Sequence, residues 1–223
     1  MNISGIIAEY NPFHSGHARQ IAETRRRLGE DAAVVCAMSG NWVQRADCAI
    51  ADKWTRAALA LKGGADLVLE LPTPWAISSA EGFARGAVEV LSAAGVVDTL
   101  SFGSESGSLE ALRAAAACLD SPDYPAALRR ALDQGLPFPA ARQAAVRALI
   151  GPAADVLSAP NNNLAVEYLR ALPGSMEAVA IPRAGAGHDQ APAEGFASAY
   201  PRSCASRRAE AKSAPSFSIL VRI

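Results

Sequence analysis

The first half of the chain alternates short apolar runs with longer amphipathic segments, and this alternation constrains the fold more than any other feature. Short apolar runs favour buried β-strands, whereas longer segments with apolar residues every three or four positions favour helices. A strand–helix–strand order builds a parallel sheet with right-handed crossovers and with helices on both faces. The sequence therefore predicts an α/β fold, a doubly wound parallel five-stranded sheet.

The same patterns predict the individual elements. Strands are predicted over Ile3–Ala8 and residues 32–38, 66–71, 96–102 and 178–181, and helices over residues 15–28, 49–62, 79–94, 108–119 and 163–172. Residues 122–157 become helical and rich in Ala and Arg, which indicates a small helical insertion. We expect one domain over residues 1–190. Residues 191–223 are expected to be a poorly ordered tail, because their periodicity is weak.

Composition and charge exclude several classes of function. The 223 residues carry a net charge of −1, which excludes a strongly basic surface over the whole chain but leaves room for a local basic patch. Cys36, Cys48, Cys118 and Cys204 lack CxxC spacing, which favours free thiols in a reducing cytoplasm over a zinc site or disulfides. No signal peptide or apolar run of membrane-spanning length is visible, so we expect a cytoplasmic protein without a membrane partner.

The segment best suited to ligand binding and catalysis lies at the first predicted strand-to-helix turn. Its sequence is Glu9-Tyr10-Asn11-Pro12-Phe13-His14-Ser15-Gly16-His17. A helix N-terminus offers backbone N–H groups and partial positive charge to an anion. Gly16 lets a phosphate or a base approach the backbone closely. His14 and His17 share one face of the first turn and can donate hydrogen bonds to phosphate oxygens. Two ordinary surface histidines are the alternative, although two of the three histidines in the chain fall here.

Two further polar segments follow predicted strands, where a doubly wound sheet binds its ligands. Residues 39–45 follow the second strand and are either a substrate-facing loop or an ordinary polar loop around a packed Trp42. Residues 102–105 follow the fourth strand. There Gly103 would let adenine or ribose lie against the backbone, and the Ser-Glu pair after it would hold a sugar hydroxyl or a metal-bound water. A simple strand-end turn is the alternative.

Three other features stay open between a ligand contact and an ordinary structural role. Lys53 and Arg56 share a helix face at i, i+3, where they would meet an anion or form a solvated surface. Asparagines 161–163 precede a predicted helix, and three of them exceed what capping needs. Arg183 stands among glycines, as in a phosphate-facing loop or in a flexible linker.

Together these segments resemble one family, the bacterial tRNA(Met) cytidine acetate ligases, within the HIGH-motif nucleotidyltransferase-like superfamily. The resemblance runs from residue 1 to residue 199 and is carried by residues 9–17, 39–41, 52–56, 70–72, 102–105 and 160–162 and by Arg183 with its glycines. It implies an enzyme that activates acetate with ATP to form acetyl-adenylate. The acetyl group then passes to N4 of the wobble cytidine of elongator tRNA(Met).

The resemblance also implies site residues. It places ATP on one continuous segment and three separate residues: Ile7, Ala8, Glu9, Tyr10, Asn11, Pro12, Phe13, His14, Ser15, Gly16 and His17, then Gly103, Asn162 and Arg183. For the chemistry we expect His14 and His17 to be catalytic at the triphosphate, with Mg²⁺ on the leaving pyrophosphate and no metal site on the protein. From Tyr200 onward the sequence departs from the family pattern, so we expect ATP binding with incomplete tRNA binding.

Two other functions stay open on the sequence. One is a different HIGH-motif nucleotidyltransferase that acts on a small phosphorylated substrate, for which Lys53 and Arg56 are the candidate basic pocket. The other is an ATP-binding remnant without tRNA activity, which the departure after Tyr200 favours.

Overall fold

The structure, a computed structural model, describes residues 1–183. In chain order its strands are β1 (Ile3–Ala8), β2 (Ala33–Ser39), β3 (Trp42–Val43), β4 (Asp47–Cys48), β5 (Leu67–Leu71), β6 (Thr99–Ser104) and β7 (Glu177–Pro182). Its helices are α1 (Ser15–Leu28), α2 (Lys53–Lys62), α3 (Thr73–Ala76), α4 (Ala80–Ala93), α5 (Leu109–Leu119), α6 (Tyr124–Asp133), α7 (Phe138–Ile150) and α8 (Pro160–Ala171). Two 3₁₀ segments, Gln44–Ala46 and Gly151–Ser158, complete the described elements.

The main sheet has the strand order β5-β2-β1-β6-β7, and each neighbouring pair is parallel. Strand β1 lies at its centre, between β2 and β6. The chain winds outward from β1 on one side and then returns to the other side through β6, so the strand order reverses between these two strands. Ligands of doubly wound sheets bind at this reversal, beyond the carboxyl ends of the strands. The predicted five-stranded parallel fold is confirmed.

Both faces of the sheet are covered, which explains why the central strands read as continuous apolar runs. Along β2 the side chains alternate between two cores. Val34, Cys36 and Met38 pack with α1 and α2, whereas Val35 and Ala37 belong to the larger core that includes α4, α5 and α8. A one-residue shift in register would therefore exchange two buried surfaces rather than expose one.

Two helix starts differ from the prediction by more than one residue. Helix α2 was expected from residue 49 but begins at Lys53, because Oδ1 of Asp52 accepts the backbone N–H of Thr55 at 2.9 Å and caps the helix there. The residues before it form the small antiparallel β3–β4 hairpin, whose two-residue strands are too short to leave a periodic signal. Helix α8 was expected from residue 163 but begins at Pro160, so the three asparagines lie inside its first turn.

Residues 122–157, predicted as a helical insertion, contain α6, α7 and the second 3₁₀ segment, which pack near α5 and α8. The domain boundary at residue 190, the glycines after Arg183 and the tail over residues 191–223 lie outside the described residues, and these expectations stay predictions. Within the described part, every helix is too short or too polar to cross a membrane.

Candidate functional site

The N-terminus of α1 is capped by the two histidines of the first motif. Nδ1 of His14 accepts the backbone N–H of Gly16 at 3.1 Å, and Nδ1 of His17 accepts the backbone N–H of His14 at 3.2 Å. This reciprocal pair is a capping box in which two imidazoles replace the usual hydroxyl and carboxylate. The rings stack with centroids 3.6 Å apart. A Cβ on Gly16 would lie 3.0 Å from Cε1 of His14, so glycine leaves the capping ring its space.

The capping bonds fix which nitrogen of each ring carries the proton. A neutral imidazole nitrogen that accepts a hydrogen bond is unprotonated, so the proton of each ring lies on Nε2. His14 and His17 therefore present Nε2–H donors at a helix N-terminus, which itself favours negative charge. Both side chains are half-buried, unlike two ordinary surface histidines.

Tyr10 supports this pair from the protein interior. Its ring is 2% exposed and lies edge-on to His17 with centroids 4.9 Å apart. Its hydroxyl lies 3.2 Å from Sγ of Cys36, and burial raises the pKa of Tyr10 well above its ordinary value and that of Cys36 to about 11. The resemblance assigned Tyr10 to ATP, but its side chain points into the core. The side chain is therefore not available to ATP, and a contact through the backbone of Tyr10 stays a prediction.

The first motif also binds the β3–β4 hairpin and the turn after it. Oε1 of Glu9 accepts the backbone N–H of Gln44 at 2.7 Å, and Oδ1 of Asn11 accepts that of Ile50 at 2.7 Å. The hairpin segment therefore lies at the same edge of the sheet as the histidines. Trp42 in this segment is 45% exposed, so the expectation of a packed Trp42 is wrong. The choice between a substrate-facing loop and an ordinary polar loop stays a prediction.

Arg56 joins three sequence motifs from within the core. Its guanidinium is fully buried and donates to the carbonyls of Ala51 at 3.0 Å and Ser39 at 3.1 Å, and to those of Glu9 and Gly40. Burial lowers the pKa of Arg56 from its ordinary value, and neighbouring carboxylates oppose that shift. Both predicted roles, an anion contact and a solvated helix face, are wrong for Arg56. No sequence pattern indicates this arrangement, because each acceptor is a main-chain oxygen.

Lys53 is neutralised by Glu70. Its Nζ lies 2.6 Å and 2.8 Å from the two carboxylate oxygens, and both side chains are partly buried. A Cβ on Gly40 would lie 2.5 Å from Oε1 of Glu70, so glycine at the end of β2 leaves room for this ion pair. With Lys53 paired and Arg56 buried, these two residues do not form a basic pocket for a second phosphate. A charged residue inside the apolar strand β5 was the signal that could have identified Glu70.

On the other side of β1, the end of β6 is bonded to the start of α8. Oδ1 of Asn162 accepts the hydroxyl of Ser104 at 2.7 Å and the backbone N–H of Glu105 at 3.0 Å. In return, the carboxylate of Glu105 accepts the backbone N–H groups of Asn161 at 3.3 Å and Asn162 at 3.0 Å. Ser104 and Glu105, which were expected to hold a sugar hydroxyl or a metal-bound water, are thus engaged within the domain.

The strand reversal brings five of the fourteen predicted ATP residues together around one cavity. A cavity of about 40 Å³ lies between the start of α1, the end of β6 and the residue after β7, and is lined by His14, Gly16, His17, Arg19, Gln20, Gly103, Ile181, Pro182 and Arg183. The side chain of Arg183 lies over Gly103, where an added Cβ would be 3.4 Å from Cγ of Arg183. Gln20 was not predicted, although it lies one helical turn after His17 on the same face.

A larger groove of about 440 Å³ runs along the outer face of α1, and its lining includes Ile21, Arg25, Arg26 and Gly64. It contains none of the residues predicted for the site, so we place the candidate site at the smaller cavity. Among the described residues, no group of three His, Cys, Asp or Glu side chains is arranged to hold a metal ion.

Comparison with known protein families shows to which family this chain belongs. The sequence model of the family described as HIGH Nucleotidyl Transferase matches residues 1–214. The chain belongs to the HIGH nucleotidyl transferase family. Among curated relatives of this nucleotidyl transferase, the tRNA(Met) cytidine acetate ligase of Syntrophomonas wolfei is 47% identical over 178 residues, which cover 77% of this chain and 42% of the relative. That of Caldanaerobacter subterraneus is 45% identical over 207 residues, covering 89% and 51%.

Solved structures agree with the sequence relationship. The ligand-free crystal structure of TmcAL from Thermotoga maritima superimposes on this nucleotidyl transferase with a TM-score of 0.83 and 36% identity, covering 89% of this chain and 50% of the other. A structure of the same protein bound with alpha-thio ATP gives a TM-score of 0.78 and 37% identity, covering 83% and 47%. The resemblance predicted from the motifs is confirmed. The chain spans about half the length of the curated relatives it matches.

Proposed function

We propose that this domain binds ATP and that the protein activates acetate as acetyl-adenylate, then transfers the acetyl group to N4 of the wobble cytidine of elongator tRNA(Met). The observation that carries the proposal is the convergence of His14, His17, Gly103 and Arg183 around one cavity at the strand reversal. Relatives named tRNA(Met) cytidine acetate ligase and a similar protein bound with alpha-thio ATP support it.

The triphosphate is assigned to the start of α1. Nε2–H groups of His14 and His17 donate to its oxygens, and the helix N-terminus adds partial positive charge. Gly16 lets the phosphates approach the backbone. Arg183, on the opposite wall of the cavity, supplies a guanidinium that binds phosphate through two parallel hydrogen bonds.

Adenosine is assigned to the first motif and the end of β6. Pockets for drug-sized ligands measure roughly 300–1,000 Å³, far more than the cavity of about 40 Å³ at this site. The methylene groups of Arg183 cover Gly103, so this stem shifts when adenosine enters while the guanidinium stays at the cavity. Asn162 already uses Oδ1 for Ser104 and Glu105, so its amide nitrogen is the group that contacts ATP.

The chemistry requires no covalent bond to the protein. A carboxylate oxygen of acetate attacks the α-phosphorus, the bond to the β-phosphate oxygen breaks, and pyrophosphate leaves. The cytidine N4 amine then attacks the acetyl carbonyl carbon and displaces AMP. Mg²⁺, held by phosphate oxygens and water, would neutralise charge on the triphosphate.

The protein therefore acts by positioning and by charge stabilisation. The histidines and Arg183 hold the triphosphate while acetate reaches the phosphorus. Because the mixed anhydride hydrolyses readily, the reaction requires that the site exclude water. ATP and tRNA place the reaction in the cytoplasm, which is the proposed compartment.

ATP–pyrophosphate exchange tests the proposal. Exchange is measured with acetate, propionate, glycine and a phosphorylated small molecule, each with and without tRNA(Met). Acetate-dependent exchange without tRNA is the expected result. Exchange that depends on the phosphorylated substrate would favour the other nucleotidyltransferase function, for which Lys53 and Arg56 offer no pocket. ATP binding without any exchange would favour the third possibility, an ATP-binding remnant without tRNA activity. Mass spectrometry of the tRNA then measures N4-acetylcytidine.

A further inference from the structure

Helix α8 lacks a cap of its own. Its N-cap residue is Ala159, whose methyl group cannot accept a hydrogen bond, and Pro160 follows it. The exposed N–H groups of a helix start need acceptors from elsewhere. Glu105 supplies them from the end of β6: Oε2 accepts the N–H of Asn162 at 3.0 Å and Oε1 that of Asn161 at 3.3 Å. A carboxylate also interacts favourably with the positive end of the helix dipole.

The bonds between Glu105 and Asn162 run in both directions. The backbone N–H of Glu105 donates to Oδ1 of Asn162 at 3.0 Å, and the hydroxyl of Ser104 donates to the same oxygen at 2.7 Å. Asn162 is 2% exposed. Since buried polar groups are costly when their partners are removed, this reciprocal contact holds the start of α8 in one position against β6.

The same carboxylate is linked to the nucleotide cavity. The side-chain amide of Asn161 donates to Oε1 of Glu105, and its Oδ1 accepts Nη1 of Arg183 at 3.4 Å. Arg183 is also anchored by its backbone N–H, which donates to the carbonyl of Ser104 at 3.0 Å. Glu105 thus fixes Asn161, which in turn orients the guanidinium that lines the cavity with His14.

We infer that Glu105 is a positioning residue for the nucleotide site: it anchors the start of α8 to the end of β6 and so sets the positions of Asn162 and Arg183 against ATP. The inference rests on the proposed function, because ATP binding is its readout. Glu105 touches neither phosphate nor acetate in this role. A contact that served only stability would change unfolding and leave ATP affinity unchanged.

The variant Glu105→Gln tests the inference. It keeps the size of the side chain but removes the charge and turns one acceptor into a donor that faces a backbone N–H. Asp120→Asn is the matched control, because Asp120 accepts Nε of Arg170 at 2.9 Å near the other end of α8. Both changes remove one negative charge from an anchor of the same helix.

We expect Glu105→Gln to raise the dissociation constant for ATP about tenfold, the scale of one charge-assisted hydrogen bond, and to leave the KM for acetate unchanged. Amide hydrogen exchange without nucleotide should become faster at the start of α8. Asp120→Asn should keep the ATP dissociation constant within about twofold of the parent, since surface ion pairs contribute little. Circular dichroism verifies the fold of each variant.

The outcomes separate this inference from the proposed function. A parent that binds no ATP would overturn both. A parent that binds ATP, with an unchanged dissociation constant in Glu105→Gln, would overturn the role of Glu105 alone. Equal weakening by Asp120→Asn would also overturn it, because the effect would then come from helix stability. If Glu105→Gln does not fold, Asn161→Ala decides, since it keeps the helix cap and removes the link to Arg183. Unchanged ATP affinity there would contradict the inference.

Discussion

Nδ1 of His17 accepts the backbone N–H of His14 at 3.2 Å, so the candidate catalytic pair is also the cap of α1. Asparagine is a good N-cap, and His14→Asn therefore separates the two roles. We expect acetate-dependent ATP–pyrophosphate exchange to fall about 100- to 1,000-fold, as when one transition-state donor is removed. The free energy of unfolding, measured with urea, should stay within about 0.5 kcal/mol of the parent.

His14→Ala is the companion variant. It loses the cap as well as the donor, so its free energy of unfolding should fall by a further ~1 kcal/mol. Exchange in His14→Asn at the rate of the parent would show that the imidazole serves only the helix.

Gly103→Val should weaken ATP binding with the fold retained. An added Cβ would meet Cγ of Arg183 at 3.4 Å, an ordinary contact, so the domain accommodates the side chain while the surface assigned to adenosine is blocked. Gly174→Val is the control, because a Cβ there has nothing within 4 Å. Calorimetry measures the two ATP dissociation constants. Equal values would make the turn at Gly103 purely structural.

Arg56→Met should destabilise the domain strongly. The change leaves four main-chain carbonyls without their donor. Each buried acceptor left unpaired costs about 1–3 kcal/mol, so we expect a loss of at least ~3 kcal/mol in the free energy of unfolding. Arg85→Met is the control, since the side chain of Arg85 is 63% exposed. A loss of less than about 1 kcal/mol in the free energy of unfolding of Arg56→Met would show that these four hydrogen bonds contribute little to stability.

Stability should fall at alkaline pH because of Cys36. Burial raises the pKa of this thiol from 9.0 to about 11. Below pH 9 the thiol is protonated in both the folded and the unfolded state, and its full contribution to the free energy of unfolding is present. Between pH 9 and about 11 it ionises only in the unfolded chain, so the unfolded state is favoured and the contribution of ~2–3 kcal/mol is lost.

Urea midpoints between pH 8 and pH 11 test this dependence. Cys36→Ala should flatten the decline, whereas Cys48→Ala, at an exposed thiol, should leave it as in the parent. Parallel declines in the parent and Cys36→Ala would assign the alkaline loss to other groups.

The sequence predicted the sheet well because each strand of it carries its own local signal. Strand β1 and helix α1 were predicted with the bounds that the structure shows, since an apolar run and a capped amphipathic segment are readable within a few residues. The site was less readable. The partners of Arg56 are carbonyl oxygens, which every residue has, and the cap of α8 comes from Glu105, far away in sequence. Such contacts depend on the tertiary arrangement and leave no periodic pattern.

The central place of β1 in the sheet has a consequence for how the domain is made. Residues 3–8 are synthesised before both of their partners in the sheet, because β1 pairs with β2 on one edge and with β6, at residues 99–104, on the other. Until β6 is synthesised, one edge of the central strand is unpaired and open to pairing with another chain. The histidine turn that follows β1 is thus translated early, whereas the opposite wall of the cavity, which includes Gly103 and Arg183, is translated later. A nascent chain of this protein completes its candidate site only when nearly the whole described domain is present.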